Sequence, residues 1–182
     1  MDYRDIQGSF NRIVSIGMFE HVGPKNYTSF MNTAYRCLEN NGLFLLHTIG
    51  GNRPTALADD WIHNYIFPNG VLPTMAQICV ASQPLFITED WHNFGPYYDQ
   101  TLMAWHQNFI EHWDTLKERY SERFYRMWNF YLLSCAGAFR ARDMQLWQIV
   151  FSKGAEISFL IRNARTTLVI IHLVFFMKKC LN

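Results

Sequence analysis

The sequence predicts an α/β fold, in which a strand, a helix and a second strand precede a pair of amphipathic helices and a closing strand. Three observations lead to this prediction. Residues 10–48 change from a short apolar run to helical spacing and back to an apolar run. Residues 98–136 carry aromatic and aliphatic side chains three and four positions apart. Residues 144–152 form a last apolar run, which predicts the closing strand.

The strand–helix–strand unit begins at residues 10–17, FNRIVSIG, whose apolar side chains indicate a buried strand. Pro24 suits the first turn of a helix, because the N–H that proline lacks would be unpaired there. Apolar residues recur at helical spacing from Tyr27, and we expect Asn40-Asn41-Gly42 to end this helix. Residues 42–48, GLFLLHT, then form a second buried strand. Such a unit implies parallel pairing and a parallel sheet.

The region between residues 50 and 96 contains five of the six prolines and lacks a sustained period. It is predicted to be an irregular insertion with short helices, one of them at residues 74–82, and insertions of this length are usually functional. The apolar stripe that starts at Tyr98 predicts one helix as far as Tyr120, and a second helix follows at residues 121–136. We expect this helical pair to form a cap over the sheet.

The composition argues against several classes of protein. Hydrophobic residues make up 49% of the 182 positions, which is too many for a disordered chain. The net charge is +1 and no basic cluster exists beyond Lys178-Lys179, so no nucleic-acid partner is expected. The four cysteines and seven histidines lack C-x-x-C and H-x-x-x-H spacing, so neither a disulfide scaffold nor a metal site is predicted. The many aromatic residues fit either a bulky core or an apolar tunnel.

The sequence changes character after Gly154, which divides the chain into a domain of residues 1–154 and an atypical apolar tail of residues 155–182. Thr166 to Met177 is strongly apolar, but its twelve residues are too few to span a bilayer, which needs about 20. Three interpretations of this tail stay open: a contact with the membrane surface, a core strand, or an ending that is not native to the domain.

Two ionisable residues stand at the carboxyl ends of the predicted strands. Glu20 follows the first strand, and His47 ends the second. Ligands of doubly wound sheets bind at these ends, so an acid and an imidazole could hold a small polar ligand or move a proton there. The alternative interpretation is structural, with Glu20 capping the helix near Pro24 and His47 buried in the core.

Tyr98 and Cys135 are weaker candidates from the pattern alone. Tyr98 lies where the insertion meets the long helix, and Cys135 lies near the end of the second helix. A phenol could donate a hydrogen bond into a site and a thiol could react, but both residue types are more often part of a core. Neither the G-x-G-x-x-G nor the G-x-x-x-x-G-K-[ST] nucleotide-binding motif is present.

Long ordered segments nevertheless connect the chain to a known family. The resemblance covers nearly all of residues 2–154 and is specific to the cyclopropane-fatty-acyl-phospholipid synthases. The segments that carry it are FNRIVSIGMFEHVGPKNY (10–27), GLFLLHTIG (42–50), WIHNYIFPNGVLP (61–73), EDWHNFGPYYDQTLMAW (89–105), YSERFYRMW (120–128) and CAGAFRARDMQLWQIVFSKG (135–154).

This resemblance implies a partial class I S-adenosylmethionine methyltransferase fold, with a Rossmann-like sheet and a helical lipid-binding cap. Family members transfer the methyl group of S-adenosylmethionine to a cis double bond of a phospholipid acyl chain. A carbocation forms, a bound bicarbonate removes a proton, and the cyclopropane ring closes. By resemblance, Glu20, His47 and Tyr98 hold the bicarbonate, the backbone of Gly17 assists them, and Cys135 has a catalytic role.

One departure from the family pattern concerns the cofactor. The family carries a glycine-rich cofactor loop on the first strand of its sheet, upstream of the segment that matches residues 2–5. We therefore expect a sheet without its N-terminal strands, with exposed apolar edges, and only Asp2 near the adenine. Two alternatives stay open: an inactive remnant that binds lipid or nothing, and a sister lipid C-methyltransferase that adds a methyl branch.

The same resemblance implies the partners and the location of the protein. The expected partner is membrane phospholipid with unsaturated acyl chains, with S-adenosylmethionine as cosubstrate and bicarbonate as the bound base. The expected location is the cytoplasm, with peripheral association with the inner membrane. The resemblance leaves a homodimer open.

Overall fold

A computed structural model of the chain describes residues 2–55 and 59–154. Its strands are β1 (Phe10–Ile16), β2 (Leu38–Gly51), β3 (Ile87–Asn93) and β4 (Met144–Ser152). They form one sheet in the order β1-β2-β4-β3. β1 runs parallel to β2, whereas β4 is antiparallel to both β2 and β3. The predicted α/β class is confirmed.

Six α-helices within the described residues surround the sheet. They are α1 (Tyr27–Cys37), α2 (Asp60–Tyr65), α3 (Met75–Ser82), α4 (Gly95–Glu111), α5 (Trp113–Leu116) and α6 (Glu122–Arg140). No helix among these residues is long and apolar enough to cross a bilayer. The predicted division at residue 154 and the interpretations of the apolar tail concern residues 155–182, which lie outside the described part of the chain.

The predicted strand–helix–strand unit is confirmed, but its first strand is mostly exposed instead of buried, and its helix ends earlier than predicted. α1 ends at Cys37, and Leu38 already has extended backbone and pairs with Phe10 of β1. The predicted stop at residues 40–42 was wrong, because these residues lie within β2. The Leu38 side chain packs closely against Gly42, because a Cβ at position 42 would lie only 2.6 Å from it.

The parallel sheet was predicted correctly for β1 and β2 only. β4 returns antiparallel to β2, and β3 lies inside the segment that was predicted to be an irregular insertion. β3 is the outer strand beside β4, and most of its side chains are exposed or half-buried. An edge strand of this kind carries polar residues on both faces, so its sequence, ITEDWHN, has no apolar alternation to detect.

The two faces of the sheet pack against different helices, because successive strand side chains point to opposite sides. Phe44, Leu46 and Phe151 belong to a core with the buried side chains of α1 and α3. Leu146 belongs to a second core, which includes Leu132 and the other buried side chains of α4 and α6. The helices α4 and α6 therefore cover the second face of the sheet and form the cap that the sequence predicted.

The cap differs from the prediction at two helix boundaries. The first helix does not continue to Tyr120: α4 ends at Glu111, the backbone of His112 leaves helical geometry, and α5 follows as a separate turn. α6 extends to Arg140 instead of ending at residue 136. Gly137 is exposed and a Cβ there would meet nothing within 4 Å, so this glycine continues the helix.

Gly50 of β2 cannot carry a side chain, because the Trp147 ring of β4 occupies that space. Trp147 is almost fully buried and lies beside Gly50. A Cβ on Gly50 would lie 2.0 Å from Cζ3 of this ring, which is far inside van der Waals contact. Only a residue without a side chain therefore fits between β2 and the indole.

Candidate active site

The candidate site begins at the turn that follows β1. Gly17 has a φ of 61°, a left-handed value that glycine adopts without strain. Its N–H donates to the His47 carbonyl oxygen at 3.0 Å, which joins the carboxyl ends of β1 and β2. The resemblance had suggested Gly17 N–H as a donor to bicarbonate, but this N–H is engaged by the sheet.

Glu20 lies in a single 3₁₀ turn, Phe19–His21, and its carboxyl group folds back toward β2. Oε1 accepts a hydrogen bond from the Ile49 N–H at 2.6 Å, and the Glu20 carbonyl accepts one from the Val71 N–H at 2.8 Å. The interpretation of Glu20 as a helix cap was wrong, because its carboxylate binds the β2 backbone instead. β2 thus holds the side chain of Glu20 through the Ile49 N–H, and the segment at Val71 holds its main chain.

The second carboxyl oxygen of Glu20 points into the protein without a partner. The residue is only 7% exposed, and Oε2 has no hydrogen-bond partner among the described residues. Burial raises the pKa of Glu20, while main-chain hydrogen bonds, including the one from the Ile49 N–H, act in the opposite direction. A buried carboxyl oxygen in this state can take up a proton or accept a hydrogen bond from a ligand.

His47 lies at the same end of the sheet. It is 5% exposed and stands on β2 opposite Gln148 of β4. Strand alternation puts its side chain on the face of Ile49, which packs against the core of the cap. The main chains of Glu20 and His47 therefore lie at the same end of the sheet, as predicted.

Tyr98 lies near the start of α4 and belongs to the core of the cap together with Cys135. Its ring packs edge-on against Phe139 of α6, with ring centroids 5.0 Å apart. Burial raises the pKa of Tyr98 to about 12, and the neighbouring Cys135 thiol and Glu20 carboxylate raise it further in the same direction. The phenol therefore stays protonated near neutral pH and can donate a hydrogen bond.

Cys135 lies on α6 and is partly buried in the core of the cap. Burial raises the pKa of its thiol to about 11. A thiol is nucleophilic only as the thiolate, so Cys135 is not activated in this environment. Cys135 and Tyr98 belong to the same core of the cap, and the thiol contributes to the raised pKa of the phenol.

Two contacts hold the cap residues in place over the sheet. The Asn93 side chain accepts a hydrogen bond from the Gly95 N–H at 2.9 Å and donates to Gln145 Oε1 at 2.6 Å, which ties the start of α4 to β4. Asp99 accepts two hydrogen bonds from Arg140, both at 2.9 Å, and this pair ties α4 to the end of α6. Tyr98 stands between these two attachments.

Tyr27 also interacts electrostatically with Glu20, although the sequence pattern did not single it out. It is 3% exposed, and its ring stacks on Phe19 with centroids 4.2 Å apart. Burial raises the pKa of Tyr27 to about 12, with a further contribution from Glu20. Its hydroxyl lies 3.5 Å from the Val71 carbonyl oxygen. In the sequence Tyr27 looked like the first apolar residue of α1, so no signal distinguished it.

Asp2 is engaged elsewhere. Its carboxylate accepts hydrogen bonds from the Arg4 side chain at 2.9 and 2.7 Å, and these bonds lower the pKa of Asp2 to about 2. The predicted role of Asp2 near an adenine stays a prediction. Within residues 2–55 and 59–154, no group of three His, Cys, Asp or Glu side chains could hold a metal ion.

The sequence profile of the mycolic acid cyclopropane synthetase family matches residues 1–149. The chain belongs to this family. A relative within the family, the cyclopropane-fatty-acyl-phospholipid synthase of Escherichia coli K12, is 57% identical over 155 residues, which are 85% of this chain and 41% of the relative. The chain thus spans about two-fifths of the length of this curated relative. A probable fatty acid methyltransferase of Mycobacterium tuberculosis is 32% identical over 157 residues, covering 84% of this chain and 36% of the relative.

Solved structures agree with the family assignment. The cyclopropane synthase MmaA2 from Mycobacterium tuberculosis matches with a TM-score of 0.75 at 29% identity, over 83% of this chain and 58% of that chain. The mycolic acid cyclopropane synthase CmaA1, solved with SAH and CTAB, matches with a TM-score of 0.76 at 28% identity, over the same shares. These similarities confirm the predicted methyltransferase-type sheet with its helical cap.

Proposed function

We propose that this chain supplies the part of a cyclopropane-fatty-acyl-phospholipid synthase that contains Glu20, His47, Tyr98 and Cys135. The proposed reaction transfers a methylene group from S-adenosylmethionine to a cis double bond of a phospholipid acyl chain. The observation that carries the proposal is the buried Oε2 atom of Glu20, which has no hydrogen-bond partner among the described residues. The Glu20 carboxylate also raises the pKa of the Tyr98 phenol, which supports placing both groups in one site.

A small oxyanion that carries a proton fits this cluster. Glu20 Oε2 can accept a hydrogen bond, whereas the Tyr98 phenol, protonated near neutral pH, can donate one. We assign Glu20, His47 and Tyr98 to binding bicarbonate, which supplies a base when bound. Gly17 acts indirectly, because its hydrogen bond to the His47 carbonyl holds the two strand ends together.

The cap contributes an apolar, aromatic surrounding. The Tyr98 ring contacts Phe139 and Trp105 edge-on, at 5.0 and 5.9 Å between centroids. Aromatic faces stabilise positive charge, and an apolar enclosure keeps water away from a reactive cation. Cys135 lies in this wall as a neutral thiol. We propose that these side chains position the acyl chain and shield the reacting carbons.

The substrate class follows from the family and from the relatives. The identity of 57% to a cyclopropane-fatty-acyl-phospholipid synthase exceeds the 32% to a probable fatty acid methyltransferase, which favours ring formation over a methyl branch. We accordingly propose unsaturated membrane phospholipids as substrate. The corresponding location is the cytoplasmic side of the inner membrane, with peripheral attachment.

A product assay tests the proposal directly. The 182-residue chain is mixed with methyl-labelled S-adenosylmethionine, bicarbonate and vesicles of cis-unsaturated phospholipid, and the acyl chains are analysed by mass spectrometry. We expect labelled cyclopropane chains, which Glu20→Gln abolishes and Glu39→Gln, at an exposed position of β2, leaves unchanged. Labelled methyl branches would indicate the sister methyltransferase instead, and folded chain that transfers no label would overturn the proposal for this polypeptide.

A further inference from the structure

The outer surface of the cap carries a contiguous group of apolar side chains that the proposed reaction does not use. Tyr65, Phe130 and Leu133 are 50%, 55% and 44% exposed, and the half-buried Trp61 lies among them. The Trp61 ring lies 4.6 Å from Phe130 and 5.6 Å from Tyr65, centroid to centroid. We call these four residues the cap patch. It joins α2 to α6 and remains open to solvent.

Helical geometry extends the cap patch toward positive charge. Arg126, Phe130 and Leu133 stand four and three positions apart, so they share the outer face of α6. Arg123 precedes Arg126 by three positions and is exposed as well. Neither arginine takes part in any of the three ion pairs that the described residues form.

Acidic groups near the cap patch are few. Glu122 is the acidic residue of α6, and Asp60 begins α2. The Asp59 carboxylate is engaged as the cap of α2, because it accepts hydrogen bonds from the Trp61 and Ile62 N–H groups. The outer face of α6 therefore combines aromatic and aliphatic side chains with two arginines that have no acidic partner in the described part of the chain.

We propose that the cap patch, with Arg123 and Arg126, is the surface through which this chain contacts an anionic phospholipid bilayer. Amphipathic aromatic rings favour the headgroup region, apolar side chains enter the outer acyl region, and arginines attract anionic headgroups. The choice of a bilayer over an apolar protein partner rests on the proposed lipid substrate. Exposed apolar patches of this kind on soluble domains mark interaction surfaces.

The same helix connects this surface to the candidate site. Cys135 lies two positions after Leu133 and faces the core of the cap, on the side of α6 away from the patch. A helix with its side chains is about 10–12 Å across. A bilayer held against the cap patch would thus be separated from the candidate site by the thickness of one helix.

Vesicle binding without S-adenosylmethionine separates this proposal from the proposed reaction. Flotation with vesicles of phosphatidylethanolamine and phosphatidylglycerol compares the wild type with Phe130→Ser/Leu133→Ser and with Val80→Ser, a matched control at a 72% exposed position of α3. We expect the double substitution to weaken binding about tenfold or more, since it removes two apolar side chains from the contact. The control should bind like the wild type.

A charge variant and a local probe complete the test. Arg126 is exposed. Its replacement in Arg126→Glu should weaken binding to anionic vesicles and change binding to neutral phosphatidylcholine vesicles little. Photoreactive benzoylphenylalanine at Leu133 should crosslink to phospholipid, whereas the same group at Val80 should not. Equal binding by the patch variant and the control, crosslinking of position 133 to a second copy of the chain, or no wild-type binding would each overturn the proposal.

Discussion

The two sides of the candidate site are built by different forces. On the sheet side, main-chain hydrogen bonds from Gly17, Ile49 and Val71 fix the turn that carries Glu20. On the cap side, ring packing and the Asp99–Arg140 pair hold Tyr98. Hydrogen bonds to a strand allow little displacement, whereas packed side chains can adjust. The acid is thus the rigid element of the site, and the phenol and thiol belong to its adaptable wall.

The largest expected effect is the loss of the buried Phe19 ring on the sheet side of the candidate site. Phe19 is fully buried and stacks on Tyr27, directly before Glu20 in the same turn. We expect Phe19→Ala to lower the free energy of unfolding by about 3–5 kcal/mol, because it leaves a large cavity. Urea denaturation measures this loss. Phe130→Ala, at a 55% exposed cap position, is the control and should cost far less.

The second prediction concerns the chemical state of the cap wall. With a pKa of about 11, the Cys135 thiolate fraction at pH 8 is roughly two hundredfold lower than that of a free cysteine with a pKa of ~8.5. We expect iodoacetamide to modify exposed Cys79 long before Cys135, as peptide mass mapping would measure. Fast modification of Cys135 in folded protein would contradict a neutral, unactivated thiol.

The third prediction compares a glycine of the sheet, Gly50, with a glycine of the cap, Gly137. Gly50→Ala forces a methyl group into the Trp147 ring, and we expect a loss of about 1–3 kcal/mol. Gly137→Ala places the same methyl group in open space on α6, where replacing glycine in a helix should stabilise the protein by about 0.5–1 kcal/mol. Thermal denaturation of the two variants gives opposite signs if the strand is close-packed and the helix face is free.

The last prediction is a pH dependence on the rigid side. Because burial raises the pKa of Glu20, the folded chain keeps this proton at pH values where the unfolded chain has lost it. The Glu20 contribution to stability is therefore present at low pH and is lost as the pH rises through the raised pKa.

Glu20→Gln isolates this contribution, since the amide has no proton to release and its oxygen can still accept the hydrogen bond from Ile49. We expect the free energy of unfolding of Glu20→Gln, relative to the wild type, to increase as the pH rises above ~4.3, the ordinary pKa of a glutamic acid side chain. Denaturant titrations at several pH values measure it. A constant difference for Glu20→Gln across this range would contradict a raised pKa of the Glu20 carboxyl group.

The elements that the sequence predicted well were those with a clear apolar pattern. The central part of β2 and β4 are buried apolar runs, and α1 has a clear helical stripe. The apolar run of β1 predicted the strand correctly but not its burial, because most of its side chains are exposed. β3 escaped detection because an edge strand needs no apolar alternation. The break at His112 was also missed, since the apolar stripe continues through Trp113 although the backbone does not.

The candidate site was predictable only where side-chain identity carries the chemistry. The position of the strand ends made Glu20 and His47 candidates, and the family resemblance raised all four residues, including Tyr98 and Cys135, above their structural interpretations. The Ile49 N–H could not be predicted, because a backbone donor depends on conformation and not on residue type. Tyr27 was missed for a related reason: its nearness to Glu20 depends on how the turn folds over α1.

The close approach of Gly50 and Trp147 has an evolutionary consequence. The indole occupies the volume that a side chain at position 50 would need, so neither position is free to change alone. Across the family, we expect substitutions to occur as pairs, with a side chain gained on β2 accompanied by a smaller residue on β4. Such coupled variation, visible in an alignment of relatives, would preserve the spacing between β4 and β2, the strand that carries His47 and the Ile49 N–H.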